Sequence, residues 1–476
     1  MAEGMEEGME AGMEETGHMA GARAIALDKV TVRYAARGEP SLRDFSFEVS
    51  EGECVLLTGG SGCGKSTVIR LLNGLVPHVY EAEVSGSVSV LGHTPAERPL
   101  QETGRTVSTV FQNPRTQFFC TEPLSEMAFG GENAGADPAG LRARVARVAD
   151  RVGVAHLAQH SMFTLSGGEK QRVALASAVC DQPRIYLLDE PTANLDDEAV
   201  QELRSTLTRL RDSGATLVIA EHRLHYLRGL VDRVVRMDAG RTAQTYSSAD
   251  FWNIPGQTRR TLGLRSLHPP ATAKSPKPAA DEHSGLVCDH PRFGELPFPR
   301  GMVTALVGRN GVGKTHTARI LSGLEKSPAR VTLDGRPLTR RQRTRRAFLA
   351  AQDVNRQLFG PSVREELTLG RQGIAPSAVD AALRRLDIDQ LADRHPLSLS
   401  GGQQQRVAIA SALVEGREIY IFDEPSSGLD YRAMQSVSGV LTELAASGKI
   451  LILITHDHEL ADACAHALVS LSAPSA

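Results

Sequence analysis

Two stretches of this 476-residue chain spell the same phosphate-cradling pattern, G-x-x-x-x-G-K-[ST]. The first is Gly59, Gly60, Ser61, Gly62, Cys63, Gly64, Lys65 and Ser66, followed by Thr67. The second is Gly308, Arg309, Asn310, Gly311, Val312, Gly313, Lys314 and Thr315, followed by His316. A strand-length apolar run leads into each loop (residues 54–58 and 303–307). A helical apolar pattern leaves it (Val68, Ile69, Leu71, Leu72; Ala318, Ile320, Leu321). Strand, glycine loop and helix start together aim backbone N–H groups and the positive end of a helix dipole at a polyphosphate. Lys65 and Lys314 add a point charge, and Ser66 and Thr315 add a hydroxyl suited to Mg²⁺. The chain reads as two nucleotide sites on α/β architecture.

Later motifs recur in the same order, so the whole chain reads as a duplication. Leu165, Ser166, Gly167, Gly168 and Glu169 return as Leu399, Ser400, Gly401, Gly402 and Gln403. Leu188, Asp189, Glu190 and Pro191 return as Phe422, Asp423, Glu424 and Pro425, and His222 returns as His456. Each copy alternates strand-length apolar runs with helical patterns, which predicts a mostly parallel sheet covered by helices. The copies are placed at residues 24–250 and 285–471. Between them, 251–284 contains a Pro/Ala-rich stretch and reads as a semi-rigid linker. Residues 1–23 are acidic and poor in apolar side chains, as a disordered tail would be, and lack the apolar core of a secretory signal.

Composition removes several function classes. With 53 basic and 56 acidic residues the net charge is −3, so no overall field favours nucleic acid or anionic lipid. Aromatics at 4% argue against a base-stacking platform for single strands. The six cysteines form no C-x-x-C pair, which fits reduced thiols better than a disulfide framework or zinc site. No apolar run approaches the ~20 residues that span a bilayer. Any membrane role would be that of a peripheral subunit. The arginine-rich run 340–346 lacks interleaved aromatics and reads as a solvated helix face.

The carboxylate motifs carry the chemistry. A run of four apolar residues ending in Asp-Glu delivers two acids to the C-terminal edge of a strand, beside the phosphate loop. There Asp189 and Asp423 would hold Mg²⁺, and Glu190 and Glu424 would polarise a water for in-line attack. A turn acid at a strand end is the plainer reading of either motif alone; a phosphate loop upstream in both copies argues against it. His222 and His456 each follow a strand-like run (216–220 and 450–454), where an imidazole can bond the γ-phosphate and orient glutamate and water.

Glycine loop, Gln, Leu-Ser-Gly-Gly, Asp-Glu and His in this order resemble the nucleotide-binding domains of the ATP-binding cassette (ABC) family, twice over. The resemblance covers nearly the whole chain outside the tail and linker. It implies two P-loop NTPase domains, each adding an antiparallel β subdomain and a helical subdomain with the Leu-Ser-Gly-Gly motif to the parallel core. It also implies ATP and Mg²⁺ as ligands and head-to-tail pairing of the cassettes within the chain. Lys65 would then share a nucleotide with Ser400, Gly401 and Gly402, and Lys314 with Ser166, Gly167 and Gly168. The stretches 193–196 and 427–430 match the loops that couple the two sites. Gln112 and Gln352 match the Q-loop glutamine, which reaches Mg²⁺ and water.

Wording around these glutamines (residues 111–119 and 352–359), with Glu221-His222-Arg223, resembles the ATPases of energy-coupling factor transporters, importers of vitamins and metal ions. That resemblance implies an integral membrane coupling subunit, a substrate-binding membrane subunit, and a place on the cytoplasmic face of the membrane. Tandem sugar-importer ATPases and, more remotely, ribosome-associated ABC-F regulators are the alternatives. The short joint between copies disfavours the second. Tyr34 matches the aromatic that stacks on adenine; the second copy is truncated there, leaving Phe293 as the substitute. Glu126 and Glu366, each following a Q-loop, are expected to pair with an arginine of the coupling subunit or to stand exposed at a helix start. Cys63, beside Lys65 at a helix start, is expected either to have a lowered pKa or to be a small packing residue.

Overall fold

The computed structural model describes residues 22–35, 38–193, 195–269 and 284–471. Nearly all of the expected tail, Asn194 and the stretch 270–283 lie outside the described residues. In the first half a six-stranded sheet runs in the order Val107–Val110, Ile185–Asp189, Thr216–Ala220, Cys54–Gly59, Arg233–Asp238, Arg241–Ser247. Every neighbouring pair is parallel except the last. The second half repeats the core as a five-stranded, wholly parallel sheet: Ala347–Ala350, Ile419–Asp423, Ile450–Ile454, Val303–Val307, Ala467–Ser470. Strands Ile419–Asp423 and Ile450–Ile454, like Cys54–Gly59, Ile185–Asp189 and Thr216–Ala220 of the first half, are buried along their whole length. Strands covered on both faces need no polar alternation, which is why these runs are continuously apolar in sequence.

Parallel strands end on the same edge, and that edge is where the motifs meet. Asp189 is level with Ala220, and Ala220 with Leu57, two residues before the first glycine loop. Asp423 is level with Ile454, and Ile454 with Leu306. A smaller antiparallel sheet flanks each core. One is built from Leu42–Ser50, Arg23–Tyr34 and Ala82–Val90, and the other from Gly294–Pro299, Gly285–His290, Arg330–Leu333 and Arg336–Pro337. Helices Pro123–Asn133, Pro138–Val152 and Gly167–Cys180 form a layer in the first half. Val363–Thr368, Pro376–Arg385 and Gly401–Glu415 form it in the second. Gly167–Cys180 and Gly401–Glu415 both start from a capping box, in which Ser166 pairs with Glu169 and Ser400 with Gln403.

The linker boundary needs correction. Residues 251–269 are folded: Ser248–Trp252 and Gly256–Thr261 are helices, and Phe251, Trp252, Leu264 and Leu267 lie in the first half's core. Burying a large apolar side chain contributes about 1.5–3 kcal/mol, so four of them hold this stretch down whatever the composition beyond it. Among the described residues no helix is long and apolar enough to cross a membrane.

Candidate active sites

Each glycine loop turns sharply out of its strand, and its first glycine admits no side chain. A Cβ on Gly59 (φ +148°) would lie 2.2 Å from the Met237 carbonyl oxygen, and one on Gly308 (φ +155°) 2.7 Å from that of Leu471. Helices Lys65–Leu72 and Lys314–Leu321 follow directly. Both lysines fold back over their loops: Lys65 Nζ lies 3.2 Å from Gly59 O and 3.3 Å from Gly60 O. Lys314 Nζ is 2.7 Å from Gly308 O and 3.0 Å from Arg309 O.

The two Asp-Glu pairs arrive at the same edge. Glu190 and Glu424 both have left-handed backbone, φ +47° and +52°. Such a conformation costs a non-glycine residue roughly 1–2 kcal/mol. It is held because each glutamate N–H bonds a neighbouring strand end, Ala220 O or Ile454 O, at 2.8 Å. In the first site Gln112 Nε2 donates to Glu190 Oε2 at 2.7 Å. In the second, Glu424 accepts from Thr455 Oγ1 (3.2 Å) and His456 N (3.0 Å). Position 221 is glutamate where 455 is threonine, and Glu221 turns inward to bond His222 N, Arg223 N and Thr192 Oγ1. Thr315 Oγ1 donates to Asp423 Oδ2 at 2.7 Å, and Ser66 bonds Asp189. Asp189 Oδ1 is buried with no hydrogen-bond partner. A hydroxyl beside an orphaned carboxylate oxygen suits a hard divalent cation that also takes phosphate oxygens.

Burial sets the protonation of these groups. It raises Glu190 well above the usual carboxylate range and Glu424 to about 8, and it also raises Asp189 and Asp423. It pushes His222 well below its ordinary value, helped by Lys65, and His456 down to about 4, helped by Lys314. Both imidazoles are therefore neutral near pH 7 and serve as hydrogen-bonding groups. His222 Nε2 lies 3.1 Å from Lys65 Nζ and 3.6 Å from Glu190. His456 Nε2 lies 2.8 Å from Asn310 Oδ1 and 3.7 Å from Glu424.

The halves close on each other head to tail. Asp430 Oδ2, from the second half, accepts Ser61 N of the first loop at 2.6 Å; Asp196 Oδ2 accepts Asn310 N of the second at 3.0 Å. A cleft of about 350 Å³ joins Ser166, Gly168 and Glu169 of one half to Arg309, Asn310 and Gly311 of the other. A second cleft, of about 150 Å³, brings Gln112 and Gln352 together with Gly167 and Gly401.

The ABC transporter family matches residues 42–193 and 295–427, one stretch in each half. A curated relative from Treponema denticola, assigned to the ABC transporter ATP-binding proteins, is 39% identical over 452 residues, spanning 91% of this chain and 92% of its own length. The chain belongs to the ABC transporter ATP-binding family. A relative from Streptomyces coelicolor with the same assignment is 32% identical over 94% of this chain and 92% of its own. Among solved structures, RNase-L Inhibitor matches with a TM-score of 0.63 over 93% of this chain and 87% of its own, at 24% identity. That likeness shows the two-cassette fold. The protein is an ATPase that takes ATP with Mg²⁺.

Each cassette also brings an aromatic ring to the start of its phosphate-loop helix. Tyr34 closes its strand and donates its hydroxyl to Thr67 Oγ1 at 3.2 Å. In the second cassette Phe293 stacks on His290 (ring centroids 4.7 Å apart) and lies 3.7 Å from where a Cβ on Gly313 would sit. His316, at the position of Thr67, is exposed.

Two expectations are corrected. Cys63 is 5% exposed and burial raises its pKa, outweighing the lowering by Lys65. Glu126 and Glu366 are neither exposed nor turned outward: they are 6% and 7% exposed. Glu126 Oε2 accepts Phe119 N and Cys120 N, and Glu366 Oε2 accepts Phe359 N and Gly360 N. The 340–346 run is a solvated helix face, as expected: the helix Arg340–Arg346 is exposed at every position but Arg343, which bonds Leu338 O. The sequence reading missed Arg265 altogether, because it counted that stretch as linker. The alternation of Leu262, Leu264 and Leu267 around it was the available signal.

Proposed function

We propose that this protein is the ATP-hydrolysing peripheral subunit of an energy-coupling factor type importer for a vitamin or metal ion, working on the cytoplasmic face of the membrane. The observation that carries the reading is a duplicated apolar display. Glu126 and Glu366 clasp the ends of the two Q-loops so that Phe119 and Phe359 stand 76% and 73% exposed. Phe163 and Leu397, also exposed, occupy matching positions just before the two Leu-Ser-Gly-Gly motifs. Two equivalent apolar knobs beside the glutamines that sense nucleotide suit two equivalent helices of a membrane coupling subunit. A substrate-binding membrane subunit would choose the cargo.

In this reading Glu190 and Glu424 are the general bases. Water oxygen attacks the γ-phosphorus, the bond to the β–γ bridging oxygen breaks, and the glutamate takes the water's proton. Ser66, Gln112 and Asp189 would hold Mg²⁺ in one site and Thr315, Gln352 and Asp423 in the other, where the ion would neutralise phosphate charge. The left-handed backbone at both glutamates aims each carboxylate past the strand end.

Membrane recruitment tests the proposal. The full chain should co-sediment with membranes containing its coupling subunit and support uptake. Phe119→Asp with Phe359→Asp should abolish both while ATP turnover in solution persists. Undiminished co-sedimentation of that variant would refute the docking surface. Wild-type protein found with ribosomes instead of membranes would refute the transport assignment.

A further inference from the structure

Leu429 lies in the loop that carries Asp430 to the first phosphate loop, and its carbonyl accepts Arg265 Nη1 at 3.2 Å. Arg265 belongs to the folded stretch after the first cassette and is 8% exposed, with Leu264 and Leu267 anchored in that cassette's core. Its Nε donates to Glu459 Oε2 at 2.8 Å and its Nη2 to Asp457 Oδ1 at 2.5 Å. Ser266 N adds a bond to Glu459 at 3.0 Å. All three guanidinium nitrogens thus grip the second cassette from a backbone fixed in the first. Only a planar fork of donors can satisfy three acceptors so arranged.

We propose that Arg265 is a positioning residue for the Lys65 site, acting through the second cassette's 427–430 loop. That loop touches the site twice. Asp430 Oδ2 holds Ser61 N at 2.6 Å. Gly428 (φ +69°) passes so close that a Cβ there would lie 2.7 Å from Gln112 Nε2 and 2.9 Å from Glu190 Oε2. A shift of the loop would therefore move both the phosphate cradle and the glutamine–glutamate pair. Arg265 also ties the loop to Asp457, which accepts Ser426 Oγ at 2.6 Å. The matching loop serving the Lys314 site is anchored differently. Leu195 O takes Arg223 Nη1 of its own cassette, at 3.5 Å. Arg265 therefore bonds the 427–430 loop of the Lys65 site directly and meets the Lys314 site only through Asp457, the neighbour of His456, so its effect falls mainly on the first.

The inference rests on assigning Glu190 to the Lys65 site and Glu424 to the Lys314 site. The test uses the full chain in two backgrounds: Glu424→Gln, which leaves the Lys65 site to turn over, and Glu190→Gln, which leaves the Lys314 site. Adding Arg265→Ala to the first should lower kcat on the order of 10–100-fold, the cost of a small misplacement of reacting groups. Arg265→Lys should recover only part of this loss, since an ammonium cannot reach three acceptors. Adding Arg265→Ala to the second background should leave kcat within about twofold. Equal losses in both backgrounds, or no loss in either, would overturn the proposal. Should Arg265→Ala fail to fold, Arg265→Gln, which keeps a polar amide but removes the fork of donors, must show the same one-sided loss. The parent variants test the site assignment separately: if neither glutamine lowers turnover, that assignment fails, whatever Arg265 does.

Discussion

Replacing Glu366 with alanine should destabilise the second cassette by more than replacing it with glutamine, and the difference follows from two hydrogen bonds. Its Oε2 accepts Phe359 N at 2.7 Å and Gly360 N at 2.6 Å, and the Gly360 bond is buried. Truncation leaves both donors without a partner, at about 1–3 kcal/mol each when buried. Because Phe359 N is only part-buried, a total of about 2–5 kcal/mol is expected. Glutamine keeps an acceptor oxygen and forfeits mainly charge assistance, roughly 1 kcal/mol per bond. No larger residue can move in to help, since a Cβ on Gly360 would sit 2.7 Å from Glu366 N. Urea unfolding gives the stability change, and chymotryptic cleavage beside the exposed Phe359 reports release of the loop. Equal effects of the two substitutions, or an unchanged cleavage rate in Glu366→Ala, would refute the clasp. Glu126→Ala should behave alike, because the first cassette repeats the bonds at 2.9 and 2.7 Å.

Three further outcomes are expected. Glu190→Gln and Glu424→Gln should retain ATP binding but slow phosphate release by ~10²–10⁴ where general-base help is lost, and near-normal turnover in the double variant would reject the roles. His458 bonds Asp197 across the cassette interface at 2.6 Å, and this partner raises its pKa. Its contribution is full below the unfolded value of about 6.5 and is lost as pH rises through the folded one. The melting temperature should fall over that window, and His458→Gln should flatten the dependence. Maleimide applied to native protein should label Cys120 first, since the other five cysteines, Cys63 included, are buried; peptide mapping that finds Cys63 modified first would contradict this.

Much of the fold was legible because its determinants are local. A strand buried on both faces must be apolar throughout, so 450–454 and 216–220 read directly as strands, and the structure gives Ile450–Ile454 and Thr216–Ala220. The glycine loops declare themselves because Gly59 and Gly308 tolerate no Cβ. The order of motifs, repeated twice, left little choice of family.

What stayed hidden depends on distant partners. Glu126 reads as an acid at a helix start, and only folding shows its carboxylate turned back onto Phe119 N and Cys120 N. Cys63 sits beside a lysine in sequence, yet burial decides its pKa, and burial is a property of the packed molecule. Arg265 gave no signal of its function, because its three acceptors lie more than 160 residues away in the second cassette. Sequence alone determined the two phosphate loops, the parallel cores and the place of the Asp-Glu pairs at strand ends, since backbone geometry and hydrophobic period set these within a few residues. The tertiary structure decided which groups share a site and which are buried, because hydrogen-bond partners and desolvation exist only once the two cassettes have closed on each other.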